Sequence, residues 1–224
     1  MRAAASEQVP LASVGMLRTF LSATALLTIA AAAPLLCQAE SNVKTGAGAL
    51  TATAHLDLQI TIPKFLFLRV GTGSGTAAGG WTANGNVDLI TWAPASGSVG
   101  NGVALAGTGG DLGGGVETAV VVANHGNVTL SSTTLGALSD GAGDTISYAQ
   151  IRTVASKLTT NQVLAVPALA DGATNTVTVP ATPKIARRDA KWTYTYRNQT
   201  TPPPGTYGGV NTNNGRVTYT ASMP

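Results

Sequence analysis

Apolar and polar residues alternate with a period of two in many short runs of this chain. Sustained helical spacing is missing beyond the first forty residues. Leu56, Leu58, Ile60 and Ile62 alternate with His55, Asp57, Gln59 and Thr61, which predicts a strand with one apolar face. Pro63 interrupts that run. Lys64 to Val70 then continues it with apolar residues on both faces, the signature of a strand buried between layers. Further strands are expected at Val103–Ala106, Val116–Ala123, Val128–Ser132, Thr145–Val154, Gln162–Val166 and Thr174–Val179. Near the C-terminus, Trp192, Tyr194 and Tyr196 alternate with Thr193, Thr195 and Arg197. Val217, Tyr219 and Ala221 alternate with Thr218, Thr220 and Ser222. Turn signals separate the runs. Asn84-Gly85 between Trp81–Ala83 and Val87–Trp92 predicts a tight hairpin, and most of Pro94–Gly115 is expected as loop. About eight to ten short strands with such punctuation predict an all-β antiparallel sandwich.

Composition changes the picture at the N-terminus. Arg18 precedes an apolar run from Phe20 to Leu36, and Cys37-Gln38-Ala39 supplies a small-x-small cleavage pattern. The reading is a signal peptide over residues 1–39 and a single sandwich domain over 40–224, with either Met1 or Met16 able to serve as the start. Pro34 breaks the run, and no transmembrane segment is expected in the mature chain. The predicted location is the periplasm, cell surface or extracellular space. No cysteine follows Cys37, so core packing and ladder hydrogen bonds must hold the fold. Charged residues are only 10% of the chain against 44% hydrophobic, which argues against disorder. After Ala39 there are eleven basic and nine acidic residues, a balance of +2 that gives no reason to expect nucleic acid.

Candidate chemistry is sparse. His55 lies on the polar face of a predicted strand and His125 in the Asn124–Asn127 turn. Neither sits in a nucleophile motif, and both read as solvated histidines. Two histidines and no mature cysteine make no zinc set. The nine acids contain no pair that spacing alone marks for glycoside hydrolysis. Gly107–Gly113 approaches a dinucleotide fingerprint, but no helix is predicted after it. Asp140–Ser147 resembles a glycine-aspartate calcium turn that is one residue short and occurs once. Trp81, Trp92 and Trp192 could make a platform for sugar rings, although tryptophans on strands are usually core. Arg187-Arg188 with Lys191 is a solvated loop or a docking patch. The chain is therefore read as a non-enzyme, with no catalytic, cofactor-binding or metal-binding residues.

The last thirty residues resemble the closing strands of bacterial pilin-like and other immunoglobulin-like surface domains. The matching residues are the corner Pro204-Gly205-Thr206-Tyr207 and the run Arg216-Val217-Thr218-Tyr219-Thr220. The resemblance implies an immunoglobulin-like or pilin-like sandwich in which Tyr207 forms a tyrosine corner, its ring in the core and its hydroxyl on a nearby carbonyl. The chain departs from the pattern in an inserted Gly208–Gly215 hairpin, in lacking paired cysteines, and in placing Met223 where a penultimate aromatic is common. Ser41–Leu50 and the strand after it could complete a neighbour's sheet through main-chain hydrogen bonds. The function expected is that of an exported structural or adhesive protein, a subunit of a fimbria-like or other surface assembly that associates with itself or with other surface subunits. The alternative is a secreted module binding a glycan or another ligand.

Overall fold

A computed structural model describes residues 41–71, 81 and 83–224. The predicted signal peptide and most of the glycine-rich stretch after Gly71 lie outside the described residues. Two units separate at Thr61 and Ile62. In the first, residues 41–61 are exposed throughout and belong to no strand or helix.

The second unit is all-β. Its strands are β1 (Leu66–Val70), β2 (Ile90–Thr91), β3 (Leu105–Ala106), β4 (Thr108–Gly109), β5 (Val116–Ala123), β6 (Val128–Thr133), β7 (Leu138–Ser139), β8 (Thr145–Ile146), β9 (Ile151–Ser156), β10 (Gln162–Val163), β11 (Thr174–Val179), β12 (Ala186–Tyr196) and β13 (Thr218–Ser222). The larger sheet runs β1-β5-β12-β10, with β3 and β9 also paired to β12; the smaller runs β11-β6-β13. All the pairings are antiparallel except β10 with β12, where Gln162 and Val163 lie parallel to Arg188 and Asp189. No helix of the described residues is long and apolar enough to cross a membrane.

The two sheets pack face to face. The larger contributes Ala119, Val121, Ala123, Ile151, Ala186, Ala190, Trp192, Tyr194 and Tyr196, and the smaller contributes Val128, Leu130 and Val179. Alternation places these side chains inward from every strand, as the period-two pattern requires. Trp192 is fully buried and donates its Nε1–H to the Leu164 carbonyl at 2.9 Å. The indole thereby ties the centre of β12 to the segment after β10. Ser132 of β6 and Thr134 just after it are also buried, and their hydroxyls donate to the Ala168 and Ala170 carbonyls, so neither is buried without a partner.

Several expectations need correction. Trp81–Trp92 is not a hairpin among the described residues. Only Ile90–Thr91 is strand, and it pairs with Thr108–Gly109, which places part of the expected Pro94–Gly115 loop in a ladder. At Asn84-Gly85 the Asn86 amide donates to Asn84 Oδ1, a local turn without flanking strands. Arg187, Arg188 and Lys191 do not lie in a loop, since Ala186–Tyr196 is β12. Tyr207 donates its hydroxyl to the Pro203 carbonyl at 2.8 Å, as a tyrosine corner would, yet its ring is only half-buried and outside the main core. The strand expected at Leu56–Ile62 is also absent, although its alternation is unbroken.

Replacing Trp192 by Ala leaves a cavity and orphans the Leu164 carbonyl. A loss of about 3–5 kcal/mol is expected, read from the urea midpoint of unfolding.

Candidate functional site

Two surfaces stand out from the ordinary polar exterior. The first is the stripe Leu56, Leu58, Ile60 and Ile62, which are 74%, 86%, 87% and 75% exposed. Large aliphatic residues at this spacing normally mark the buried face of a strand. Among the described residues no ladder forms here, and the residues of both faces are exposed.

The second surface is β1 and what surrounds it. β1 pairs with β5 on one side, with Leu66 opposite Ala123 and Val70 opposite Ala119. The ladder is extended at its start by Asn124. Its Oδ1 accepts from the Phe65 amide at 2.9 Å, and its Nδ2 donates to the Pro63 carbonyl at 2.8 Å. Leu66, Leu68 and Val70 face the sandwich core, while Phe65 and Phe67 pack on Val120 and Val122 on the opposite face of the sheet. The Trp81 ring stacks on Phe65 with centroids 4.9 Å apart and lies 6.3 Å from Phe67. A groove of about 420 Å³ runs along this strand, lined by Leu66–Val70 and by Trp81, Ala83, Asn84 and Asn86.

At the other end of β1 lies a carboxyl cluster that spacing did not mark. Glu117 is only 5% exposed and points from β5 toward the core side, with Asp88 and Asp111 nearby. The Asp111 amide donates to Glu117 Oε2 at 3.2 Å, and Asp111 Oδ1 accepts from the Thr118 amide at 2.8 Å. Gly71 closes the corner at φ +74°, where a Cβ would overlap the carboxyl oxygens of Asp88 and Glu117. Burial, reinforced by the two neighbouring carboxylates against the Asp111 amide, pushes the Glu117 carboxyl up to about 8. The one clue in sequence was a lone acid at an inward-facing position of an otherwise apolar strand.

The residues singled out from sequence do not converge. His55 and His125 are both exposed, one in each unit. Among the described residues no group of three or more His, Cys, Asp or Glu is arranged to hold a metal. Asp140 Oδ1 accepts from the amides of Ala142, Gly143 and Asp144 at 2.8–3.1 Å, which makes Asp140–Asp144 a self-capped turn. Gly107–Gly113 includes β4 and leads into β5 instead of a helix. The three indoles form no platform, because Trp192 is buried and Trp92 half-buried, whereas Trp81 is 39% exposed.

The basic cluster is divided by strand alternation. Arg187 and Lys191 face solvent, whereas Arg188 is buried and donates Nη2 to the Pro180 carbonyl at 3.2 Å. Asp189 beside it is fully buried. Its carboxylate accepts from Thr159 Oγ1 at 2.8 and 2.9 Å and from Asn161 Nδ2 at 2.7 Å, so it anchors the loop before β10.

Comparison with known proteins gives no match: no family model, no curated protein and no solved structure is recognisably similar to this chain.

Glu117 keeps its proton to about pH 8 when folded but releases it near the ordinary 4.5 when unfolded. The folded chain therefore binds more protons between those values. Its stability is expected to fall as pH rises across that window, by up to about 1.4 kcal/mol per unit, and to level off above it. Glu117→Gln should flatten that dependence in urea unfolding measured from pH 4 to 9.

Proposed function

We propose that this chain is an exported structural subunit that joins others of its kind into a surface assembly, fimbria-like in character. The observation that carries the reading is the exposed stripe Leu56, Leu58, Ile60 and Ile62. Burying one such side chain is worth about 1.5–3 kcal/mol. Four on one face, exposed on a segment that joins no ladder among the described residues, act as one half of an association. Their alternation with His55, Asp57, Gln59 and Thr61 suits addition to a sheet, where main-chain hydrogen bonds supply the register.

Other features support the same reading. The apolar run Phe20–Leu36 followed by Cys37-Gln38-Ala39 has the form of an export signal. A cysteine-free, weakly charged sandwich built on threonine, valine and glycine suits a shape-forming part. The Pro204–Tyr207 corner and the β13 run carry the resemblance to pilin-like domains. The second reading, a glycan-binding module, is favoured by Trp81 alone, the most exposed of the three indoles.

The test is assembly itself. The purified full chain should form high-molecular-weight species visible by sedimentation and electron microscopy. The double variant Leu58→Asp with Ile60→Asp should lose them while keeping an unchanged circular dichroism spectrum, since both side chains are exposed. A wild-type chain that stays strictly monomeric at high concentration, and is missing from the cell surface, would overturn the proposal.

A further inference from the structure

We infer that the pocket between the start of β12 and the chain entering β10 binds an oxyanion carried on a hydroxylated ring, either the carboxylate of a uronic acid or the sulfate ester of a sulfated sugar. This goes beyond the reading of the chain as an assembling subunit and uses none of the residues on which that reading rests.

The pocket follows from how β10 joins the sheet. The parallel pairing begins with Gln162 beside Arg188 and continues with Val163 beside Asp189. Thr160 and Asn161, just ahead of it, are outside the ladder. With Gln162 they border a pocket of about 510 Å³, which Thr182 and Ile185 complete on the approach to β12. That is the size of an ordinary small-molecule site. Its walls are held from behind. The Thr182 amide donates to the Ile185 carbonyl at 2.9 Å, and the Ala181 amide donates to Asn127 Oδ1 at 2.9 Å. Asn161 donates its amide to Thr159 Oγ1 at 3.1 Å and its Nδ2 to the Asp189 carboxylate at 2.7 Å. A ligand therefore meets a lining whose ordering cost is already met.

Charge sets the ligand's sign. Arg188 borders the pocket and is only 8% exposed. It projects on the core side of β12, with Ala186 and Ala190. An arginine this deeply buried ordinarily has an anion beside it. Its hydrogen bond here runs from Nη2 to a neutral acceptor, the Pro180 carbonyl, at 3.2 Å. Asp189, next in sequence, turns to the other face and receives Thr159 and Asn161. None of the Arg188 nitrogens is sealed from solvent without a partner. The rest of its planar fork is thus open to a two-oxygen anion. Arg187 brings a second guanidinium to the same pocket from the exposed face, and no acid is among the lining residues. Lys184, in the turn between Thr182 and Ile185, has the same sign.

The neutral lining selects what carries the anion. Thr160 and Thr182 offer hydroxyls, and Asn161 and Gln162 offer carboxamides. Because Asn161 Nδ2 is committed to Asp189, its Oδ1 is left as an oriented acceptor. Ile185, 55% exposed, supplies the one aliphatic surface. Groups that both donate and accept, set around a cation, match the hydroxyls of an acidic sugar. A bare phosphate would leave them unused, and a fatty acid would find no apolar channel. Trp81 borders a different groove, so this site is separate from that indole and demands a charged ring.

The experiment is calorimetric titration of the full chain with trigalacturonate, with galactose 4-sulfate and with neutral galactotriose. Saturable binding of at least one charged sugar is expected, and none of galactotriose. The tighter of the two charged sugars identifies the oxyanion. Arg187→Gln, at an exposed position, should weaken binding about ten-fold. Arg188→Lys keeps the charge but loses the fork, and about ten-fold weakening is expected again, with circular dichroism as the check on folding. Should Arg188→Lys not fold, Arg187→Gln alone decides. Trp81→Phe should leave the affinity unchanged. Binding of galactotriose as tight as that of the charged sugars, an affinity untouched by Arg187→Gln, or an affinity lost in Trp81→Phe would each overturn the proposal. So would the failure of both charged sugars to bind, whether or not the chain assembles; the subunit reading stands or falls separately, on sedimentation.

Discussion

Occupied edges are the constraint from which the sandwich is built, and β12 satisfies it best. Eleven residues long, it pairs on one side with β5 and β3 and on the other with β9 and β10. With both edges taken, its inward residues have fixed neighbours, and Trp192 can be buried completely with its single donor satisfied. Its outward residues are fixed as well, so Asp189 can gather Thr159 and Asn161. Through β5 the same strand sets the place of Glu117, which lies opposite Trp192, and of β1.

Outward from β12 the pairing runs out before the apolar composition does. Among the described residues β5 has strand partners on both sides and β1 has β5, and both are written mostly in apolar residues. An edge amide exposed to water costs little, because water replaces the missing partner and the net worth of a hydrogen bond is only about 0.5–1.5 kcal/mol. An exposed aliphatic side chain forgoes more than that.

Local pattern made much of the fold legible. Thr174–Val179 and Val116–Ala123 are strands over the residues that alternation and β-branched content indicated, and the Trp192–Tyr196 face is buried as its spacing implied. Pattern misled where structure depends on distant parts of the chain. Leu56–Ile62 has the clearest alternation and forms no strand, because a strand is a property of a pair and no ladder partner stands among the described residues. Arg187, Arg188 and Lys191 looked like loop because they are charged. The compensation for Asp189 comes from a hydroxyl and an amide about thirty residues away, which composition around Asp189 could not reveal. The carboxyl cluster draws Asp88 from before β2, Asp111 from the loop between β4 and β5, and Glu117 from β5, with Gly71 making the room.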